Sequence, residues 1–353
     1  MKYTVKENVF KVLCSLLLLG SLVACSKTKA GQAQGTGEKN LLPAGTELSA
    51  AVVIEGKEFA KTSEVVVIGE NMVIVGQPGD KSETFLPGRI VMSAPFAIGR
   101  YEVTQEVYEA IMGNNPSGNL ATTRAVEAGE LEHLRPVETV SWYESLLFCN
   151  LLTMATLGQE NCVYYRDKEF RRVYTKEDAK LKKLPYMNLE KKGYRLPLEA
   201  EWELAARGGN PDDAANWTLE YAGSNVIEEV TWYNAISLSK SHEVGVKAPN
   251  SLNLYDMSGN VWEWCWDWFG TLKVETPVTG LVEHSSSGAY RVYRGGSWGR
   301  SLPYCTVYTR SGIVPEYDGK ILGFRIARSL KYTAEGGWEI SASLEIFPSI
   351  MIE

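Results

Sequence analysis

The sequence predicts an α+β domain with few helices, short twisted strands and long loops. Three observations carry this. Apolar and polar residues alternate in short runs between 51 and 93, helical periods fit only 104–112, 141–155 and 197–206, and beyond 210 the chain is Gly-punctuated and rich in Trp and Tyr. No repeat of fixed period is present. The 353 residues are 44% hydrophobic and 22% charged, an ordinary globular composition. A net charge of −7 argues against a nucleic-acid partner, which needs a basic surface against phosphate. Ten Trp and eighteen Tyr against nine Phe favour amphipathic rings, enriched at binding surfaces. His133, His242 and His284 are too few and too scattered for a His-rich metal site or a Ser-His-Asp triad.

The chain opens on a targeting pattern. Lys2, Lys6 and Lys11 precede an apolar run from Val12 to Ala24, too short for a permanent membrane span. Leu22-Val23-Ala24-Cys25 resembles the bacterial lipobox, which implies cleavage after residue 24 and lipid on Cys25. Residues 1–24 are thus expected to be a lipoprotein signal peptide and 25–50 a flexible tether rich in Gly, Ser, Thr, Ala, Gln and Lys. Membrane association through that lipid, in the cell envelope and at its outer surface, is the matching expectation. The remaining cysteines are Cys149, Cys162, Cys265 and Cys305. Their even number leaves a disulfide open, while the lack of CxxC spacing speaks against zinc. Cys149 lies in an apolar helical run and reads as a buried hydrophobe.

Residues 51–87 read as an N-terminal β-hairpin segment, with strands at Ala51-Val52-Val53-Ile54, Val65-Val66-Val67-Ile68 and Met72-Val73-Ile74-Val75. Residues 88–330 read as the main domain. Thr104 is placed to cap a helix reaching Met112, with Val107 and Ile111 four apart and Gly113 after its end. Ser141–Ala155 fits a second helix. A third begins at Pro197-Leu198-Glu199 and closes on Gly208-Gly209, with Pro197 at N1. Its Glu201 and Glu203 are expected on a solvated face. Trp262, Trp264, Trp266 and Trp268 alternate, so one face of a strand should carry all four indoles into the core. Residues 331–353 read as a C-terminal tail of one or two strands.

Six segments in order resemble the formylglycine-generating-enzyme/sulfatase-modifying-factor (FGE-sulfatase) family. They are Phe96–Thr104, Arg135-Pro136-Val137 with Val140-Ser141-Trp142, Tyr194-Arg195-Leu196-Pro197 with Glu201-Trp202-Glu203, Asn253–Trp264, Arg294-Gly295-Gly296-Ser297-Trp298 and Gly323-Phe324-Arg325. The resemblance implies an elaborated C-type-lectin-like fold. It also implies a structural Ca²⁺ at Asp256, Gly259, Val261 and Glu263. The residues allow this, since two carboxylates and two carbonyls of a tight turn suit the ion. They allow equally a turn whose carboxylates pair with Arg or cap N–H groups.

Catalytic members of the family carry two cysteines, five residues apart, which hold copper and perform the thiol chemistry. Ser297 and Cys305 match the serine and the second cysteine, but Arg300 stands at the first. A guanidinium is neither thiolate ligand nor redox thiol. Copper and formylglycine generation are therefore not expected. The sulfoxide-synthase branch, which needs a His-rich iron site, is excluded by the histidine count.

Residues 299–314 fit no helical or strand period, and Lys, Glu, Gln, Met and Trp are all missing from them. The types present are those of pyrimidine-ending codons, the set produced by randomising the adenines of Asn codons. This resembles the variable region of diversity-generating-retroelement lipoproteins of the Treponema variable protein A type. That resemblance implies a non-enzymatic protein displaying a variable surface over 298–324. The expected ligand-binding residues are Trp298, Gly299, Arg300, Ser301, Leu302, Tyr304, Thr306, Tyr308, Thr309, Ser311, Ile313, Val314, Tyr317 and Asp318, with Arg310 as a further polar contact. The partner is expected to be a protein or a glycan. Oxidase activity on sulfatase cysteines and a purely structural envelope role are the alternatives.

Overall fold

In a computed structural model, the described residues are 96–330 apart from 211–212 and 271–288, together with Lys61 and the strands lying between 46 and 92. All belong to one compact unit, 39–353. The signal-peptide, Cys25 and C-terminal-tail expectations lie outside them.

The N-terminal strands are β1 (Thr46–Leu48), β2 (Val52–Ile54), β3 (Lys57–Phe59), β4 (Val65–Ile68), β5 (Met72–Val75), β6 (Arg89–Met92) and β7 (Phe96–Gly99). There follow β8 (Tyr164–Tyr165), β9 (Tyr186–Met187), β10 (Tyr194–Arg195), β11 (Trp262–Trp268), β12 (Arg291–Arg294), β13 (Arg310–Ile313), β14 (Leu322–Gly323) and β15 (Ala327–Ser329). One sheet has the order β1-β4-β7-β15-β10 and is antiparallel throughout. A second has the order β13-β12-β11-β14, with only β11 and β14 parallel. The boundaries drawn at 50 and 87 need correction here. β1 falls inside the expected tether and β4 inside the expected separate segment, yet both pair into the main sheet. Val66 of β4 is fully buried there, so apolar burial binds this stretch to the domain.

Helix α1 (Gln105–Met112) follows Thr104 and ends on Gly113, whose φ of 80° lets its N–H donate to the Glu109 carbonyl at 2.8 Å. Helix α2 (Trp142–Leu157) starts from Ser141, which exchanges hydrogen bonds with Glu144 in a capping box. It is apolar on nearly all sides and buried to match. A short helix, α3 (Lys176–Lys180), is capped in the same way by Thr175 and Asp178.

Helix α4 (Glu199–Ala206) departs from expectation. Its cap is Leu198 rather than a Pro197 start, and the Leu198 N–H donates to Glu201 at 2.9 Å. All eight residues are buried, so Glu201 and Glu203 are not on a solvated face. The helix is wedged between the sheets: Ala200, Trp202 and Ala205 share one core with Phe96 and Ile98 of β7 and Val292 of β12. The carboxylates tolerate this because arginines meet them. Arg195 grips Glu201 through two bonds of 2.7 and 2.8 Å, and Glu203 takes Arg207 at 3.0 Å and Arg294.

The other core surrounds α2. Trp142 and Phe148 pack there with Trp262, Trp264, Trp266 and Phe324. The alternation of β11 holds through Trp266. A register shift between Trp264 and Trp268 then leaves Trp268 half-buried, with the Arg291 guanidinium 3.5 Å from its ring centre. The two central indoles donate in exchange, Trp142 to the Cys265 carbonyl at 2.9 Å and Trp264 to the Val140 carbonyl at 3.0 Å. Cys149, Cys162, Cys265 and Cys305 are all buried and free, so the disulfide left open by their number is not formed.

Candidate functional site

The segment after β12 is a set of exposed loops pinned at buried points. Gly295 and Gly296 turn the chain with φ of 98° and 82°. A Cβ on Gly296 would lie 2.6 Å from the Cys305 sulfur, so the turn needs glycine twice over. Trp298 is then fixed on three sides: its N–H donates to Asn260 at 2.7 Å, its indole to the Lys320 carbonyl at 3.0 Å, and its carbonyl accepts from Ser237 at 2.8 Å. Residues 299–304 emerge from this anchor into solvent. The chain re-enters at Cys305, Thr306 and Val307, where the Val307 N–H reaches the Glu220 carbonyl at 2.9 Å.

Of the expected ligand-binding residues, Gly299, Arg300, Ser301, Leu302, Tyr304, Val314 and Asp318 are exposed. Leu302 keeps 41% of its surface and Tyr304 48%, and the Arg300 guanidinium lies 5.7 Å from the Tyr304 ring centre. Trp298, Thr309 and Ser311 are half-buried. Tyr308, Ile313 and Tyr317 are half-buried as well and rest on the two cores. Thr306 is a correction: it is 1% exposed and its hydroxyl is spent on Thr309 at 2.6 Å, which holds the turn shut. Arg310 is another. It takes both oxygens of Glu199 at 2.7 Å and the Gly270 carbonyl at 2.8 Å, so it fastens β13 to α4.

The sequence reading missed the wall beside this face. The Asn234 N–H donates to the Arg300 carbonyl at 3.0 Å, and Tyr221, Ile227, Val230 and Tyr233 pack around Cys305. In the same stretch of chain Val226 is 51% and Leu238 64% exposed. Its exposed aliphatic residues carried no periodic signal.

The site cannot support the thiol pair of the catalytic family members. Arg300 is exposed at the first position. Cys305 is fully buried, and burial pushes its thiol up to about 12, which favours the protonated thiol over the thiolate. Ser297 is buried beside it, its hydroxyl without a partner among the described residues.

The turn expected to hold Ca²⁺ has a different occupant. Glu263 gives both oxygens to Arg325 at 2.6 Å and accepts the Trp202 indole at 2.7 Å. Asp256 accepts the Gly245 N–H at 2.8 Å, while its second oxygen is buried without a partner. Glu102, which sequence reasoning did not single out, accepts the Val261 N–H at 3.0 Å and the Asn260 amide at 2.8 Å. A guanidinium thus already pairs with Glu263, so an ion shared by the four residues would have to displace Arg325 from it. Among the described residues, no group of three or more His, Cys, Asp or Glu side chains is placed to hold a metal.

The fold and the six motifs define the class: the chain belongs to the FGE-sulfatase family, matched over residues 41–330 as a sulfatase-modifying factor enzyme 1-like domain. Within it, the chain is similar to Treponema denticola variable protein 1, at 32% identity over 79% of this chain and 98% of that one, with a TM-score of 0.63. It is also similar to the chaperone protein LppX of Paenibacillus barcinonensis, 32% identical over 78% of this chain and 95% of the relative. The formylglycine-generating enzyme of Streptomyces coelicolor is 37% identical, but over only 40% of this chain and 49% of the enzyme.

Proposed function

We propose that this is a lipid-anchored binding protein of the bacterial cell envelope that displays a variable C-type-lectin-like face and performs no formylglycine chemistry. One observation carries the reading. The position of the first thiol is an exposed Arg300, and the remaining thiol, Cys305, is sealed in a small apolar cluster. The similarity to a variable protein over almost its full length supports display as the role. The ligand is a protein rather than a glycan: Leu302, Tyr304, Val314, Val226 and Leu238 offer apolar anchors, the kind that dominates protein interfaces. A full-length relative named as a chaperone points the same way.

The test sets the two chemistries against each other. Purified protein incubated with copper and a Cys-x-Pro-x-Arg peptide is expected to yield no aldehyde by mass spectrometry. Turnover that disappears with Cys305→Ser would overturn the reading. At the level of codons, the display role predicts a second, adenine-differing copy of the stretch encoding 298–324, next to a reverse transcriptase.

A further inference from the structure

A cleft of about 410 Å³ lies between α1, the start of α2, residues 176–182 and the turn after β13. Its size falls within the range of small-ligand sites. Tyr108 and Met112 from α1 and Tyr143 and Leu147 from α2 give it aromatic and aliphatic surface. Lys176, Lys180 and Lys182 reach it from one segment, and Lys176 and Lys180 are four apart on α3, which puts both on one side of the helix. Glu316 and Asp318 reach it from the turn after β13. Glu144 of α2 lines it too, its carboxylate engaged by Ser141. Lys176, Lys180, Lys182, Glu316 and Asp318 form no ion pair with the described residues. Lysines from one element and carboxylates from another therefore line a common space without neutralising each other.

We infer that this cleft binds a short zwitterionic peptide, with its carboxylate at Lys176, Lys180 and Lys182, its amine at Glu316 and Asp318, and an apolar side chain against Tyr108 and Leu147. A dipeptide or tripeptide is of the right size and carries both charges at its ends. The Tyr143 hydroxyl adds a donor: burial and the Glu316 carboxylate raise it above the ordinary phenol range, so it keeps its proton at neutral pH. This site differs from the display face in that most of its wall comes from α1, α2 and 176–182, outside the variable segment.

Calorimetric titration of the purified full chain with Ala-Leu-Ala tests the proposal. Saturable binding is expected, and acetylating the amine or amidating the carboxylate should each weaken it about three- to tenfold, the range of a partly shielded ion pair. Replacing Lys176, Lys180 and Lys182 together by Gln should remove the difference between acid and amide, and Glu316→Gln with Asp318→Asn the difference between amine and acetyl. These positions are solvent-accessible, so folding is not at stake. Arg300→Ser with Tyr304→Ser should bind the tripeptide unchanged, which separates this site from the display face. Absence of saturable heat at millimolar tripeptide, or blocked peptides binding as tightly as the free one, would overturn it.

Discussion

At Asp256 the backbone adopts φ 57°, and the carboxylate is buried with one oxygen satisfied and one not. Burial first, and the Glu263 charge after it, push its carboxyl up to about 6 from 3.8. Glu102 is raised as well, by burial and then by Asp256 and Glu263. A carboxyl raised on folding holds its proton more tightly in the native state. Its contribution to stability is therefore complete below about 3.8, falls as pH climbs to about 6 and is flat beyond. Asp256→Asn keeps an acceptor for Gly245, tolerates the left-handed backbone and puts a donor where the unpartnered oxygen stands. The variant should gain on the native protein between pH 4 and 6, by on the order of 2–3 kcal/mol at neutrality. Thermal melts of both proteins across that range check it, and a constant offset would refute it. Little of this was visible in the sequence. Asp256 and Glu263 stood out as a carboxylate pair, but Arg325 lies 62 residues beyond Glu263 and Glu102 lies 159 before Val261. Only the fold brings them together.

Helix α4 shows what an element adds to its residues. Its sequence reads as a charged surface helix, yet its position between two sheets buries all eight of its residues. The two readings are reconciled by Arg195, Arg207 and Arg294, each drawn from elsewhere in the chain or the helix end. Removing one side of such a buried pair leaves a bare charge. Glu203→Ala, which abandons both Arg207 and Arg294, should cost about 3–5 kcal/mol by denaturant unfolding. A loss below about 1 kcal/mol, the size typical of a surface pair, would mean the helix is wetter than its packing indicates. Strand β13 shows the reverse case. Arg310-Ser311-Gly312-Ile313 has no alternation to read, yet it pairs with β12 along four residues. Gly312 is there for clearance, since a Cβ would come within 2.3 Å of the Phe269 ring. The α1 and α2 helices were legible because caps and apolar spacing are local signals, whereas β13 is a strand because its neighbour is one.

Across the whole molecule, anchoring and display make separate demands. Cys25→Ala should abolish incorporation of labelled palmitate and leave unprocessed precursor, and equal labelling of variant and native protein would end the lipobox reading. Display requires that exposed residues within 298–324 can change without cost to the scaffold. The pinning points found here restrict which ones: Thr306, Arg310, Tyr308 and Ile313 are tied into turns or cores, while Arg300, Ser301, Leu302, Tyr304 and Val314 are exposed. Replacing those five together with other residues of the same codon set should cost about 2.5 kcal/mol at most, since exposed changes stay within about 0.5 kcal/mol each. Trp264→Ala, which empties the α2 core and strips the Val140 carbonyl of its donor, should cost about 3–5 kcal/mol. The same five changes should redirect binding, because interface energy concentrates in a few aromatic and arginine anchors. Thermal melting ranks the two variants, and quantitative mass spectrometry compares the proteins each retains at the cell surface. A five-site variant that melts as low as Trp264→Ala would make the segment part of the core. One that melts normally and retains an unchanged set of proteins would show that binding uses another face.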